Sequence, residues 1–444
     1  MSTLGPSPLA AGDRSLSVAE ARAAIAAALQ PVLDTQADSL LLPLSQALGR
    51  VLAADVVSPL DVPAHDNSAM DGYAFAGSAL QPGQPTQLLL RGTVFAGSPF
   101  AGNVGPGECL RIMTGAVMPE GLDTVVPQEL CQTHIDTNCD TNGDTNGATN
   151  GATVSIAADT LRLGDNRRHR GEDLKRGHAA LRQGRVLQPA DLGLLASLGI
   201  HQARVLRRLR VALFSSGDEL RGEGQALPPG CVYDSNRASL TAALQRLGME
   251  VIDLGIVRDD PAALRATLQA ATEQADVVLT SGGVSVGDAD HTRALLAQMG
   301  SVAFWKVAMR PGRPFAFGPL QREGQARPSW LFALPGNPVA ALVTFYVFAR
   351  EALLYLSGAT PRPLPVLQAR CTSAIRKRPG RMEFQRAIVE PAPAGAWQVR
   401  LTGSQGAGVL RSMSEANALL VLNHDQGSVA EGELVDVWLF DGLA

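Results

Sequence analysis

The feature that most constrains the fold is an alternation of strand-like and helix-like segments over residues 211–356. Short apolar runs typical of buried strands, such as residues 277–279, alternate with segments of helical character, such as residues 261–273. Parallel strands need crossover connections, usually helices, so this alternation predicts a central doubly wound α/β domain. The chain has 444 residues, too many for one ordinary core, and further domains are therefore expected.

The flanking segments differ in composition from this α/β region. Residues 55–171 are rich in proline, glycine and short β-like runs, which predicts a β-rich inserted domain. Ser17 and Glu20 form a capping-box pattern, which predicts a helix at the start of the chain. The predicted domains are a helical and extended N-terminal domain (15–54 with 172–207), the β-rich domain (55–171), the α/β domain (208–358) and a small C-terminal β-barrel (362–444).

Residues 137–152 consist of the tandem tetrads TNCD, TNGD, TNGA and TNGA. Asn-Gly pairs favour tight turns, and so polar a segment cannot bury apolar surface. We expect a mobile, low-complexity loop at the tip of a hairpin. A calcium loop is the less favoured interpretation, because the terminal glutamate of such loops is missing.

Composition bears on compartment and on partner class. The net charge of -4 and the 5% aromatic content do not favour nucleic-acid binding. The five cysteines form no C-x-x-C pair, which favours free thiols in a reducing compartment. The apolar stretch 339–356 contains Arg350 and Glu351, so it is interpreted as a buried helix rather than a membrane span. With no signal-peptide pattern at the start, a cytoplasmic location is expected.

Polar or glycine-rich loops follow four of the predicted strands, at residues 215–219, 257–260, 281–290 and 334–338. In open α/β sheets, ligands bind outside the carboxyl ends of the strands. Gly282 and Gly283 allow backbone N–H groups to converge on an anion, and Asp288 and Asp290 add carboxylates suited to a cation. A phosphate and metal site is therefore predicted at this edge.

Three cations, Lys306, Arg310 and Arg313, lie close together in a segment stiffened by prolines. Ammonium and guanidinium groups bind oxyanions, so we favour this function over a solvated basic turn. The chain contains no G-x-G-x-x-G, P-loop or H-E-x-x-H motif. A G-x-S-x-G match around Ser285 is interpreted as accidental, because it lies too far beyond the strand for a nucleophile elbow.

A set of ordered motifs resembles the MoeA family, the molybdopterin molybdenumtransferases, which are related to the C-terminal domain of gephyrin. The motifs are PAHDNSAMDGYA, RIMTGA, RRHRGED, LFSSGDEL, YDSNR, RDDP, TSGGVSVGDAD, PGRPFAFG, LPGNPVA and GRMEFQR. The resemblance implies an enzyme of molybdenum cofactor biosynthesis that inserts molybdenum from molybdate into adenylylated molybdopterin and releases AMP. It also implies Mg²⁺ or another divalent cation, and a homodimer whose cleft combines the α/β domain of one subunit with the β-rich domain of the other.

The same resemblance assigns residues to roles. The implied catalytic residues are Asp66, Asp173, Glu219, Asp259 and Asp290, and the implied metal ligands are Asp259, Asp290, Asp288 and Glu219. The implied substrate-binding residues are Thr114, Ser281, Gly282, Gly283, Ser285, Lys306, Arg310, Arg313, Pro335, Pro338, Arg386 and Ser404. Further partners implied are the molybdopterin adenylyltransferase and molybdoenzyme apoproteins or chaperones, with no nucleic acid and no membrane.

The chain departs from the family pattern at Ala407, where many relatives have serine, and Ser404 is a candidate replacement for that hydroxyl. Two other functions stay open. A molybdopterin adenylyltransferase shares the α/β domain but needs no β-rich domains. A non-catalytic scaffold, as in gephyrin, would use the same fold to bind peptides, although the complete set of acidic residues favours catalysis.

Overall fold

A computed structural model describes residues 15–134, 152–282, 289–322, 324–325, 327–361 and 363–442. The chain forms two compact units. The first comprises Met1–Ala54, Gln183–Leu192 and Gln202–Ala444, and the second comprises Asp55–Arg182 and Gly193–His201. A helix, Pro189–Ser197, lies where the chain passes from one unit to the other.

The centre of the first unit is a six-stranded sheet. Its strands are β1 (Arg210–Ser216), β2 (Glu250–Val257), β3 (Val277–Ser281), β4 (Ala303–Lys306), β5 (Pro314–Leu320) and β6 (Ser329–Leu334). The spatial order is β2-β1-β3-β6-β5-β4. Strands β2, β1, β3 and β6 are mutually parallel, as expected for strands joined by helical crossovers.

Helices cover both faces of this sheet. They are α1 (Ser235–Arg246), α2 (Pro261–Gln274), α3 (Ala289–Met299), α4 (Pro338–Thr344), a π-helical segment (Phe345–Ala349) and α5 (Arg350–Leu356). Alternate residues of β1 point to opposite faces: Leu213 packs in the core with α1, α4 and α5, whereas Phe214 packs with α2 and α3. The predicted doubly wound α/β domain is confirmed.

Strand β5 was not predicted, and it makes the sheet mixed. It pairs antiparallel with both β6 and β4. Its sequence begins at Pro314 and contains Gly318 and Pro319, residues that normally weaken a strand assignment. The apolar residues Phe315 and Phe317 are nevertheless buried, and packing outweighs the local propensity.

Two further elements complete the N-terminal part of the first unit. The helix Val18–Ala28 begins at Ser17, and the predicted capping box with Glu20 is present. The strand Ser39–Pro43 pairs antiparallel with Gln202–Leu206, so distant parts of the chain meet in one small ribbon.

The C-terminal part of the first unit is a closed five-stranded β-barrel, as predicted. Its strands are β7 (Leu367–Cys371), β8 (Met382–Pro391), β9 (Trp397–Leu401), β10 (Ala418–Leu422) and β11 (Leu434–Leu439). The ring closes through β8-β9-β7-β11-β10-β8. A two-residue strand, Met309–Arg310, pairs with the start of β8 and so connects the α/β domain to the barrel.

The second unit is β-rich, as predicted. Its six-stranded sheet has the order Thr124–Pro127, Gly72–Phe75, Glu108–Ile112, Thr86–Val94, Thr153–Ile156 and Cys131–His134. Two short ribbons accompany it: Asn67–Ser68 with Arg167–Arg168, and Val56–Val57 with Ala179–Leu181. The tandem tetrads fall between two antiparallel strands of this sheet, and residues 135–151 lie outside the described residues.

The stretch Pro338–Leu356 is the one helix, among the described residues, that is long and apolar enough to cross a membrane. Within the apolar window, 72% of the residues are buried inside the protein. Core helices of globular proteins meet the same length and composition test, so this stretch is weak evidence for a membrane span.

Candidate functional site

The polar loops predicted from the sequence leave the sheet at one edge. In the parallel register, Ser216 lies opposite Val257, Ser215 opposite Ser281, and Ser281 opposite Leu334. The carboxyl ends of β1, β2, β3 and β6 are therefore adjacent. This edge is the place where an open α/β sheet binds ligands.

Gly282 permits the close approach of two of these loops. Its φ angle is +90°, and a Cβ added there would lie 2.3 Å from the carbonyl oxygen of Ser216. Its N–H donates to the carbonyl oxygen of Leu334 at 3.1 Å. A side chain at this position would separate the ends of β1 and β3.

A cavity of about 820 Å³ opens between the edge of the sheet and the β-barrel. It gathers several predicted site residues, namely Glu219, Arg310, Arg313, Pro335 and Pro338. Arg310 and Arg313 are exposed, so their guanidinium groups are available to an oxyanion.

Other residues that line this cavity had no assigned role in the sequence analysis. They include Tyr233, Asp234, Asn236, Arg381 and Gln405. The first three belong to the YDSNR motif, and Arg381 belongs to GRMEFQR. The motifs therefore identified these segments, but they did not indicate which of their side chains face the cavity. Arg381 forms an ion pair with the buried Glu383 at 3.2 Å.

Arg386 lies behind the cavity rather than in it, and its exposed fraction is 1%. Its guanidinium donates to Ser412 Oγ at 3.0 Å and to the carbonyl oxygens of Gly406 at 3.0 Å and Ser404 at 3.3 Å. Burial, and secondarily the charge of Arg310, lower the pKa of Arg386 to about 10. The group thus stays cationic at neutral pH and holds the barrel loop in place. Its predicted contact with substrate stays a prediction.

The barrel loop places Ala407, not Ser404, at the cavity wall. Ser404 lines a separate pocket of about 380 Å³. The carbonyl oxygen of Ala407 accepts the N–H of Val339 at 3.0 Å, which ties the loop to the first turn of α4. Ser404, the candidate replacement for the missing hydroxyl, therefore does not line the cavity of about 820 Å³.

Asp259 lines a second, neighbouring cavity of about 1060 Å³, together with Asp218, Asp253 and Asp260. Ser216 Oγ donates to the Asp259 carboxylate, and the Asp259 N–H donates to Asp218 Oδ1 at 3.3 Å. Arg221, Arg237 and Arg258 line the same cavity, so carboxylates and guanidinium groups lie together beside the ends of β1 and β2.

The predicted metal ligands are only partly within the described residues. Asp288 lies outside them, as do the predicted substrate-binding residues Gly283 and Ser285, and Asp290 is described only as a backbone position in α3. Glu219 and Asp259 line different cavities. Among the side chains that the structure describes, no group of three or more His, Cys, Asp or Glu is placed to hold a metal ion.

Two other predicted substrate ligands have local partners. Ser281 is 2% exposed, and its hydroxyl accepts from Asn236 Nδ2 and donates to the Pro335 carbonyl oxygen. Lys306 is exposed at the end of β4 and does not line the cavity, while its carbonyl oxygen accepts the N–H of Leu16 at 2.9 Å. Their predicted roles toward the substrate remain predictions.

Within the second unit, Asp66 joins two motifs that are distant in sequence. Its carboxylate pairs with the Arg167 guanidinium and accepts the N–H of Arg170 at 2.7 Å. The hydrogen bond from the Arg170 N–H, and then the hydrogen bond and charge of Arg167, lower the pKa of Asp66. Together they outweigh the effect of desolvation, which raises this pKa. Asp66 is therefore an anion at neutral pH.

The other two predicted residues of this unit are exposed. Thr114 donates through both its N–H and its hydroxyl to Asp71 Oδ1, each at 2.7 Å. Asp173 donates its N–H to the carbonyl oxygen of Val62 at 3.0 Å. Both side chains lie at the surface of the unit.

Comparison with known proteins covers most of the chain. Residues 16–199 match the family model for the MoeA N-terminal region (domain I and II). Residues 212–355 match the model for a probable molybdopterin binding domain, and residues 368–440 match the MoeA C-terminal region (domain IV).

Individual relatives agree with these matches. A molybdopterin molybdenumtransferase of Haemophilus influenzae is 40% identical over 90% of this chain and 93% of its own length. Gephyrin of Dictyostelium discoideum is 30% identical over 88% of this chain and 58% of its own length. The crystal structure of the molybdopterin biosynthesis MoeA protein of Pyrococcus horikoshii is 26% identical and has a TM-score of 0.76, covering 96% of this chain and 100% of that one.

Proposed function

The chain belongs to the MoeA family, and on that premise we propose that it is a molybdopterin molybdenumtransferase. In the proposed reaction, molybdenum from molybdate becomes bound to the dithiolene sulfurs of adenylylated molybdopterin. Water hydrolyses the bond that joins the pterin phosphate to the adenylate, and the molybdate oxygens that the dithiolene sulfurs displace leave as water, so that AMP and molybdenum cofactor are released. The chain thus acts in molybdenum cofactor biosynthesis.

The cationic cavity at the edge of the sheet is the observation that carries this proposal. Molybdate and the substrate phosphates are oxyanions, and Arg310 and Arg313 present exposed guanidinium donors to such groups. The buried charge of Arg386 adds positive potential from behind. Fixed donors of this kind stabilise charge that develops on phosphoryl oxygens during bond cleavage.

We further propose that a divalent cation, Mg²⁺ in the first instance, acts beside Asp259. Asp259 and Asp218 line the same cavity, and carboxylate oxygens suit a hard cation that keeps several of its waters. The cation would neutralise negative charge on the phosphates of the substrate. Asp290, Asp288 and Glu219 complete the proposed ligand set.

A homodimer in the cytoplasm is part of the same proposal. Asp66, Thr114 and Asp173 belong to the second unit, whereas the cationic cavity belongs to the first. In the proposed dimer, these residues approach the cavity of the partner subunit. The molybdopterin adenylyltransferase and molybdoenzyme apoproteins or their chaperones are the proposed donor and acceptors of the pterin.

The test is AMP release from adenylylated molybdopterin by the purified protein, with molybdate and Mg²⁺ each added or withheld. We expect AMP to appear only when molybdate and the cation are both present. Asp259→Ala is expected to abolish turnover, with an unchanged circular dichroism spectrum. Absence of AMP release in the complete mixture would reject the transferase and favour the non-catalytic scaffold. Adenylylation of molybdopterin from ATP would favour the adenylyltransferase.

A further inference from the structure

Helix α1 begins directly at the edge of the sheet that carries the site. Asp234 is its N-cap residue, and Ser235 and Asn236 are its first two residues. All three line the cavity of about 820 Å³. Asp234 is buried, accepts the N–H of Arg237 as the helix cap, and accepts the hydroxyl of Ser215 at 3.0 Å. The start of α1 is thereby fixed to the end of β1.

Asn236, two residues later, is bonded to two other loops of the site. Its Nδ2 donates to Ser281 Oγ at the end of β3 and to the carbonyl oxygen of Gly336 in the loop after β6, both at 2.6 Å. These two loops follow different strands. A single carboxamide therefore joins them to each other and to α1.

The surroundings determine the orientation of this carboxamide. The Gly336 carbonyl oxygen can only accept, and the Ser281 hydroxyl already donates to the Pro335 carbonyl oxygen at 3.3 Å. Both neighbours therefore require the N–H₂ group, and a flipped amide would bring two oxygens together.

The other end of the carboxamide has no partner among the described residues. Asn236 is 9% exposed, and its buried Oδ1 accepts no hydrogen bond from any residue that the structure describes. A buried acceptor without a donor costs stability, so the residue is not optimised for folding alone. What the carboxamide does provide is two N–H donors on a rigid support at the ligand-binding edge.

We propose that Asn236 is a positioning residue of the transfer reaction, and this inference rests on the proposed function. It holds the Gly282 backbone and the Pro335–Pro338 loop at a fixed separation, so that adenylylated substrate and oxyanion meet preformed walls. It acts through Ser281 and Gly336 and makes no contact with the reacting atoms. Small displacements of such supports reduce turnover strongly, because reacting groups need close alignment.

The test compares Asn236→Ala and Asn236→Asp with a matched control, Asn417→Ala. Asn417 also uses its carboxamide to bind backbone, at the N–H and carbonyl of Val389 in the barrel. Asn236→Asp keeps the shape of the side chain but loses the donor that faces Gly336. We expect both Asn236 variants to lower kcat/KM for AMP release by about 100-fold, and the control to change it less than about 3-fold.

A double-mutant cycle with Ser281→Ala separates positioning from general damage. If Asn236 acts through Ser281, the loss of activity in the double variant is smaller than the sum of the two single losses. Hydrogen exchange of the unliganded proteins adds a readout independent of activity. We expect faster exchange in residues 277–282 and 336–344 for Asn236→Ala and not for Asn417→Ala.

The results distinguish the inference from the proposed function. Wild-type activity in Asn236→Asp, additive losses in the cycle, or unchanged exchange in both loops would each overturn the positioning role. An inactive wild-type protein would instead reject the transferase, and the exchange measurement alone would then decide whether Asn236 joins the loops.

Discussion

Gly282→Ala is the substitution that most directly tests the geometry of the ligand-binding edge. The φ angle of +90° is unfavourable for alanine, at a cost of about 1–2 kcal/mol. The new methyl group would also lie 2.3 Å from the Ser216 carbonyl oxygen, where ordinary contacts are more than an ångström longer. Because the contact is with backbone, relief requires β1 and β3 to separate, at a further cost of about 1–3 kcal/mol.

Gly248→Ala is a matched control. Gly248 also has a positive φ, +78°, but a Cβ there meets only the Gly49 carbonyl oxygen at 3.7 Å. The control variant therefore bears the backbone cost without the close contact. We expect the unfolding free energy to fall by about 2–5 kcal/mol for Gly282→Ala and by about 1–2 kcal/mol for Gly248→Ala.

Urea denaturation gives the stability difference, and the AMP assay gives the functional one. Gly282→Ala also displaces Ser216, whose hydroxyl donates to Asp259, so we expect the folded variant to lose activity as well. Equal stability losses in the two variants, with full activity in Gly282→Ala, would refute the tight approach of these strands.

Three other predictions concern different parts of the molecule. Asp276→Ala removes the buried carboxylate whose two oxygens accept from the Arg207 guanidinium at 2.7 and 2.9 Å. We expect urea denaturation to show a loss of unfolding free energy of about 3–5 kcal/mol. A loss below about 1 kcal/mol would contradict this expectation. Because the pKa of Asp66 is lowered in the folded protein, its carboxylate stabilises the fold at pH values above the ordinary aspartate pKa. The unfolding free energy that Asp66→Asn loses at pH 7 should therefore shrink as the pH falls below about 4. A deficit independent of pH would exclude that linkage. Ala407→Ser adds a hydroxyl to the cavity wall and should lower the KM for molybdate about 5-fold in the AMP assay, whereas an unchanged KM would place the oxyanion elsewhere.

The sequence predicted the architecture well wherever local pattern and packing agree. The strand Val277–Ser281 is apolar at its start and fully buried, and the helix after Ser17 has its capping box. Strand β5 was missed because Pro314, Gly318 and Pro319 are unfavourable in strands. It pairs with β4 and β6, and a local sequence pattern does not report such pairing. The strand Leu367–Cys371 was also missed, although the barrel itself was predicted.

The site was less predictable, because motif letters do not report burial or direction. Arg310 and Arg313 share a cavity with Glu219 and the proline loop, and the sequence had marked them as oxyanion-binding candidates. Arg386 and Ser281 are instead buried and bonded to the loops around the cavity. The role of Asn236 emerges only from its contacts, which join residues separated by up to 100 positions in the chain.

The most direct test of the proposed transferase is the ratio of AMP released to molybdenum bound by the pterin in one incubation. The released AMP is quantified by chromatography, and the molybdenum bound to the pterin is quantified after separation from free molybdate. We predict one molybdenum inserted for each AMP, with neither product formed by Asp259→Ala. AMP release without molybdenum on the pterin, or molybdenum insertion without AMP release, would contradict the proposed coupling of the two steps.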